Sequence, residues 1–188
     1  MFRSILCFVT CCFLVACTHS RFEKVGVSFG ERETLYFTGR GAAAGIMMDA
    51  YLGGAGVAIG IAIDEGIAKD IAVAIQKESP RFDIRSHIKE FLIKNSSKAE
   101  MEAWQKLTID RYGFQIIDAD FVVPVLDLTM ICTNANTVSF SLDKDSMNAY
   151  KVELTTIKTD GRAALQLLNK GIEEVFQEQF YSLCEKNV

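Results

Sequence analysis

Acidic and imidazole side chains, the usual acids, bases and metal ligands of enzymes, rarely stand at useful spacings in this sequence. Asp118 and Asp120 form a carboxylate pair, but an i, i+2 spacing beside an apolar run is typical of residues that flank a turn or face solvent. Of the two histidines, His19 and His87, neither has the histidine four residues away that a helical zinc site uses. The sequence therefore predicts no catalytic residue, no metal site and no enzyme activity.

A glycine-rich stretch at residues 39–45, GRGAAAG, has the G-x-G opening of a phosphate-binding loop. A dinucleotide site also needs a second parallel strand about 20 residues later that ends in an acidic residue. Here the helical pattern continues through Ile75, and Asp64 and Glu65 fall inside it. The stretch is therefore predicted to open a helix, and no cofactor or small-molecule substrate is expected.

Cys17 has the clearest chemistry in the chain, because it closes the motif Leu14-Val15-Ala16-Cys17 directly after a short apolar segment. Arg3 supplies a positive charge ahead of that segment, which covers residues 5–16. Twelve residues in a helix reach only ~18 Å, well short of the ~30 Å hydrocarbon core of a bilayer. Residues 1–16 are therefore predicted to be a removable signal peptide.

The motif around Cys17 resembles the signal of bacterial lipoproteins. The resemblance implies cleavage before Cys17, a diacylglyceryl thioether on its sulfur and an acyl chain such as palmitate on its new amine. Thr18 stands where aspartate would retain the protein at the inner membrane, so the same resemblance implies the outer membrane, with the body in the periplasm. The alternative is an ordinary secretory signal and a soluble product.

Composition limits the remaining chain to one domain with few kinds of partner. Without residues 1–16, 172 residues remain, with 19 basic and 24 acidic side chains. The net charge is then −5, and no cluster of lysine and arginine forms a basic stripe. Nucleic-acid binding is excluded on this ground, because it depends on such clusters.

Two cysteines remain once the signal and the lipid are accounted for. Three of the six cysteines fall inside the predicted signal and Cys17 would carry the lipid, which leaves Cys132 and Cys184. In an oxidising periplasm such a pair suggests one disulfide. A bridge over a loop of about 50 residues would constrain the unfolded chain by ~4 kcal/mol. The alternative is two separately buried thiols.

Residues 39–78 are rich in glycine and alanine and carry no charge between Ala50 and Ile63. Isoleucines recur every fourth residue from Ile59 to Ile75, and a parallel row of small residues recurs at the same spacing. The small row consists of Ala50, Gly54, Ala58, Ala62 and Gly66. A small-residue row lets another helix approach closely, so the segment is predicted to be a glycine-zipper helix that packs within the chain or between copies. Leucine at Ala58 is expected to overpack that contact.

The rest of the chain alternates between strand and helix patterns. The predicted strands cover residues 25–29, 34–38, 114–117, 119–131 and 138–142, and a last strand alternates over 150–154 and ends at Asp160-Gly161. The last two strands are predicted to form a hairpin. The predicted helices cover residues 80–94, capped by Ser79, residues 97–113, opened by an S-x-x-E capping box, and residues 165–183. Pro124 inside a core strand predicts a bulge or an edge position, since proline cannot donate to a ladder.

These patterns predict an α+β fold: a small sheet of short, largely antiparallel strands covered by helices, plus the Gly/Ala-rich zipper helix. The predicted organisation is a signal peptide (residues 1–16), a lipidated tether (17–24), short strands (25–38), the zipper segment (39–78) and a periplasmic α/β domain (79–188).

Residues 82–183 resemble small periplasmic α/β lipoprotein domains found in outer-membrane assembly and transport-auxiliary lipoproteins. The likeness rests on a helix at residues 84–93, the core strand ADFVVPVL at 119–126, a strand that ends in Thr159-Asp160-Gly161, and a terminal helix. The zipper segment also looks like that of uncharacterised glycine-zipper lipoproteins of the envelope. Neither likeness carries a catalytic or ligand motif, so no functional residue is transferred.

Together these features predict a non-enzymatic envelope protein, anchored by its lipid, that acts as a structural or assembly accessory. Its partner would be another protein or a second copy, bound through the zipper. The alternative is a membrane-embedded zipper oligomer that stabilises the outer membrane or forms a pore. Gly41 to Ile63 is nominally long enough to span, but Asp49 inside it would cost ~2.5–3.5 kcal/mol near mid-bilayer.

Replacement of Cys17 by serine tests the lipid anchor. The Cys17→Ser variant lacks the sulfur that would form the thioether, so we expect it to incorporate no labelled palmitate and to lose its membrane anchor. Undiminished palmitate incorporation in the variant would contradict the predicted lipidation.

Overall fold

The computed structural model describes residues 26–142, 144–178 and Cys184. The predicted signal, the tether and Cys17 lie outside the described residues. In chain order the elements are β1 (Gly26–Phe29), β2 (Tyr36–Thr38), α1 (Arg40–Leu52), α2 (Gly54–Glu78), α3 (Ile84–Asn95), α4 (Lys98–Glu102), β3 (Trp104–Asp118), β4 (Phe121–Cys132), β5 (Thr137–Ser141), a 3-10 turn (Ser146–Tyr150), β6 (Val152–Glu153), α5 (Leu154–Thr159) and α6 (Gly161–Glu178).

One mixed sheet is built around two long antiparallel strands, β3 and β4. Its order is β1-β3-β4-β5, with β1 and β2 lying one after the other along β3 and parallel to it, and with β5 and β6 antiparallel to β4. The predicted α+β class is confirmed, and so are the two short strands at the start. At 15 and 12 residues, β3 and β4 are longer than the short strands that were expected.

Pro124 occupies a local edge in the middle of β4. It pairs with Phe114 of β3 on one side, whereas β5 joins β4 only along 127–131 and β6 only along 121–122. In the gap between these partners, β4 needs no donor on its outer side, which is why proline is tolerated there. A Cβ at Gly171 would lie 3.0 Å from the Pro124 ring, so α6 packs closely on this point.

The carboxyl-terminal half of α2 belongs to the core rather than to a separate zipper. Ile71 and Ile75 are buried against Phe37 of β2 and Phe114 of β3, in a cluster that α6 also enters through Leu168. A second cluster joins α3, the other half of the sheet and the rest of α6. The segments predicted as separate parts, 39–78 and 79–188, thus share buried side chains.

The predicted helix over residues 97–113 is wrong beyond its first turn. The capping box forms as expected, since the Ser97 N–H donates to Glu100 Oε2 at 2.6 Å and the Glu100 N–H donates to Ser97 Oγ at 3.3 Å. The helix nevertheless ends at Glu102, and β3 begins at Trp104, which is a buried packing residue. Pairing with β1 on one side and β4 on the other outweighs the local helix signal.

The hairpin predicted from residues 138–142 and 150–154 does not form. β5 and β6 both pair with β4 instead of with each other, and Leu154 begins α5. Asp160 ends no strand; its carboxylate accepts from the N–H groups of Arg162 and Ala163 and so caps α6. The Thr159-Asp160-Gly161 stretch, predicted to end a strand, instead lies between the end of α5 and the start of α6.

Asp83, not Ser79, begins the third helix. The Ser79 N–H donates to the Ile75 carbonyl and ends α2, whereas the Asp83 carboxylate accepts from the N–H groups of Arg85 and Ser86. Burial works to raise the pKa of Asp83, but hydrogen bonds from Ser86 and Arg85 outweigh it and lower that pKa. The cap is therefore a charged carboxylate at neutral pH.

Candidate functional site

The glycine-rich segment folds back on itself as a pair of helices, which we call the hairpin (residues 40–66). Gly53 separates α1 from α2 with a φ of 57°, a conformation that side chains rarely adopt. The single zipper helix predicted from the four-residue spacing is therefore wrong. The Gly53-Gly54 dipeptide was the sequence signal for this turn.

Backbone contact between four glycines holds the hairpin together. A Cβ at Gly41, Gly56 or Gly60 would lie closer than 3.0 Å to backbone atoms of the opposite helix, and one at Gly45 would lie 3.3 Å from the Gly56 carbonyl oxygen. Gly41 faces Gly60 while Gly45 faces Gly56, so the two helices run antiparallel. The contact leaves no room for a side chain at these positions.

Four of the five small residues predicted for packing lie on the opposite side of α2, and Ala50 lies in α1. Ala50, Gly54, Ala58, Ala62 and Gly66 are all exposed. A Cβ at Gly54 or Gly66 would meet nothing within 4 Å, so this row makes no close contact among the described residues. Leucine at Ala58 is accordingly not expected to overpack a single chain, and contact between copies stays a prediction.

Asp64 fixes the base of the hairpin. Its carboxylate accepts from the N–H of Gly41 at 2.6 Å and from the N–H of Gly39 at 3.2 Å, so it caps α1 from the neighbouring helix. In a dinucleotide-binding loop, the corresponding N–H groups would donate to a phosphate instead. The GRGAAAG stretch is thus a capped helix start, as expected.

The turn between β3 and β4 supports the same base. Arg40 forms an ion pair with Asp120, and its guanidinium also donates to the Ala119 carbonyl at 3.4 Å. Asp118, the other member of the carboxylate pair, lies 3.7 Å from the Lys151 ammonium. Both aspartates therefore flank a turn in exposed ion pairs, which is the placement that their i, i+2 spacing predicted.

The outer surface of the hairpin is apolar and exposed. The exposed fractions are 75% for Ile46, 74% for Met47, 89% for Tyr51 and 57% for Ile61, and further exposed side chains are Met48, Leu52, Val57 and Ile59. At on the order of 100 Å² each, these eight side chains expose roughly 800 Å² of apolar surface, divided between the outer sides of the two arms, whereas the largest contiguous patch on a typical monomer covers ~300–600 Å². Exposed apolar surfaces of this extent are typical of sites that contact another protein or a membrane.

Each arm of the hairpin is short. The 13 residues of α1 rise ~20 Å, and the chain then reverses at Gly53. Within the described residues, no helix combines the length and the apolar composition needed to cross a bilayer.

A groove of about 530 Å³ lies where α2 meets the connection between β1 and β2. Its lining includes apolar Leu35, Phe37, Ala68, Ile75 and Phe82 and charged Arg32, Glu33, Glu65 and Lys69. Tyr112 at its edge donates to the Glu33 carbonyl at 3.3 Å, and burial, together with the charge of Asp83, raises the pKa of its hydroxyl. The groove has the volume of a ligand site, but its charges of both signs favour no class of ligand.

The remaining candidate residues have structural surroundings. His87 Nε2 is hydrogen-bonded to the Asn169 side chain, and among the described residues no group of three His, Cys, Asp or Glu side chains is placed to hold a metal. Cys132 and Cys184 form a disulfide with a Cα–Cα distance of 5.8 Å. The bridge ties the end of β4 to the chain beyond α6.

The chain matches no protein-family model, and no curated protein or solved structure gave a significant match.

Two glycine-to-alanine changes on the same helix test the backbone contact. At Gly60 the new Cβ would press on the Gly41 carbonyl, so we expect Gly60→Ala to destabilise the protein by ~1–3 kcal/mol. At Gly66 the Cβ enters open space, so Gly66→Ala should gain ~0.5–1 kcal/mol from the lower backbone entropy of alanine. Thermal unfolding and amide exchange in the hairpin measure both. Equal effects of the two changes would contradict the contact.

Proposed function

We propose that the protein is a non-enzymatic, lipid-anchored protein of the outer membrane that acts as a structural or assembly accessory, and that it binds other proteins through the outer surface of the hairpin. The exposed apolar surface around Tyr51, Met47 and Ile61 carries the proposal. Burial of such a surface is worth roughly 25 cal/mol per Å² before the entropic cost of association, so a partner that covers it gains a hydrophobic driving force for binding.

The position of the hairpin relative to the proposed anchor supports a role in the periplasm. β1 begins beside Lys106, whereas the hairpin leaves the body at the turn after Asp118, about 40 Å further along β3. Nine residues separate Cys17 from Gly26, which limits the tether to about 30 Å. The base of the hairpin therefore lies at the end of β3 that is far from β1, the strand that follows the tether.

A membrane-embedded zipper oligomer is the second candidate, because no charge occurs between Ala50 and Ile63. Two features weigh against it. The ~20 Å arms are shorter than the ~30 Å hydrocarbon core, so the hairpin would not cross it. Asp49, one turn before Gly53, would enter with the tip at a cost of ~2.5–3.5 kcal/mol. In water beside a protein partner, its carboxylate stays hydrated.

A photo-crosslinking amino acid placed at Tyr51 or at Tyr150 of the full chain in living cells tests the proposal. Both positions are tyrosines at the surface, 89% and 44% exposed, but only Tyr51 lies on the hairpin. We expect irradiation to give discrete protein adducts from position 51 and none at comparable yield from position 150. The yields are compared by immunoblot of the tagged protein.

Three results are distinguishable. Protein adducts confined to position 51 support the proposed contact surface. Equal adduct patterns at the two positions would contradict it. Phospholipid adducts at position 51, without protein adducts, would favour the membrane-embedded candidate instead.

A further inference from the structure

The two arms of the hairpin carry unlike apolar surfaces on their outer sides. Met47 is two residues from Gly45, and Ala58 is two residues from Gly60, which places both ~200° around their helices from the glycine contact. The outer side of α1 therefore presents the large side chains of Ile46, Met47 and Tyr51, all at least 74% exposed. The outer side of α2 presents the small residues Gly54, Ala58, Ala62 and Gly66, bordered by exposed Val57, Ile59 and Ile61.

These two surfaces are complementary in shape. The side chains of α1 form a ridge, whereas the small residues of α2 form a groove with open space over Gly54 and Gly66. Inside the hairpin the same two helices already pack antiparallel. Copies that stand side by side in one orientation would bring α1 of one copy against α2 of the next, again antiparallel.

We propose that the groove on α2 is filled by the outer side of α1 from a second copy of this chain. The contact is head-to-tail, so each copy can use both outer sides, and a closed ring of copies, or the interior of an open row, leaves neither apolar surface in water. The inference rests on the proposed function, because a shared lipid anchor gives all copies the same orientation.

The area that the contact would bury is compatible with a second copy as the partner. The two surfaces together would bury on the order of 1,000 Å², which is near the lower limit for a specific interface. Anchors in one membrane raise the effective concentration of copies for each other, so a contact of this size suffices. A soluble foreign partner would lack that advantage.

Crosslinking of single-cysteine variants in the intact envelope tests the pairing. Full-length Met47→Cys and Ala58→Cys, with different epitope tags, are expressed separately and together, and membranes are treated with a short thiol crosslinker. Cys132 and Cys184 are bridged, so they do not react. We expect a dimer that carries both tags, at least tenfold more abundant than the dimer of either variant alone. Ala58→Cys together with Tyr150→Cys is the control and should give no mixed dimer.

Other outcomes overturn the pairing. Efficient crosslinking of Ala58→Cys alone would mean a symmetric contact between two copies of α2. The absence of any dimer would mean that copies do not meet through these surfaces. Adducts to a different protein at both cysteines, without a dimer, would overturn this inference but leave the proposed function standing. If the photo-crosslinking amino acid at position 51 gave no protein adducts, both this inference and the proposed function would be contradicted.

Discussion

Contact between the backbones of α1 and α2 is the constraint on which the exposed surface depends. Because Gly41 and Gly60 bring the two helices together without side chains, the inner faces bury little apolar side-chain area. The large apolar residues of the hairpin, such as Met47 and Tyr51, are consequently on the outside. Leucines on the inner faces would have held the two helices further apart and buried apolar side chains between them.

α2 fixes the position of the hairpin relative to the body of the protein. It is continuous over 25 residues, with Gly56 and Gly60 in the hairpin contact and Ile71 and Ile75 buried in the core. Asp64, between these two halves, holds the start of α1. The exposed surface is therefore presented by a helix that is anchored at one end in the core, rather than by a loose loop.

The sequence predicted features that depend on local chemistry. The α+β class, the first two strands and the capping box at Ser97 follow from periodicity and cap residues, and the structure contains them. It predicted only the end of β3, at residues 114–117, because pairing with β1 and β4 overrides the helix signal after Glu102. The four-residue spacing could not show which small row packs, since Gly56 and Gly60 repeat at the same interval as Gly54 and Ala58. The chain reverses at Gly53 and brings α1 against the side of α2 that carries Gly56 and Gly60. This contact, which the spacing does not encode, decides which row packs.

The central claim is that the outer surface of the hairpin is exposed in a single chain and covered by protein in the envelope. The direct measurement is the rate at which a water-soluble maleimide labels Ile61→Cys, relative to Lys144→Cys on the body, in intact envelopes and in purified protein at high dilution. The account predicts that Ile61→Cys is labelled at least tenfold more slowly than Lys144→Cys in envelopes, and at a similar rate once purified. Equal rates at the two positions in the envelope would contradict it.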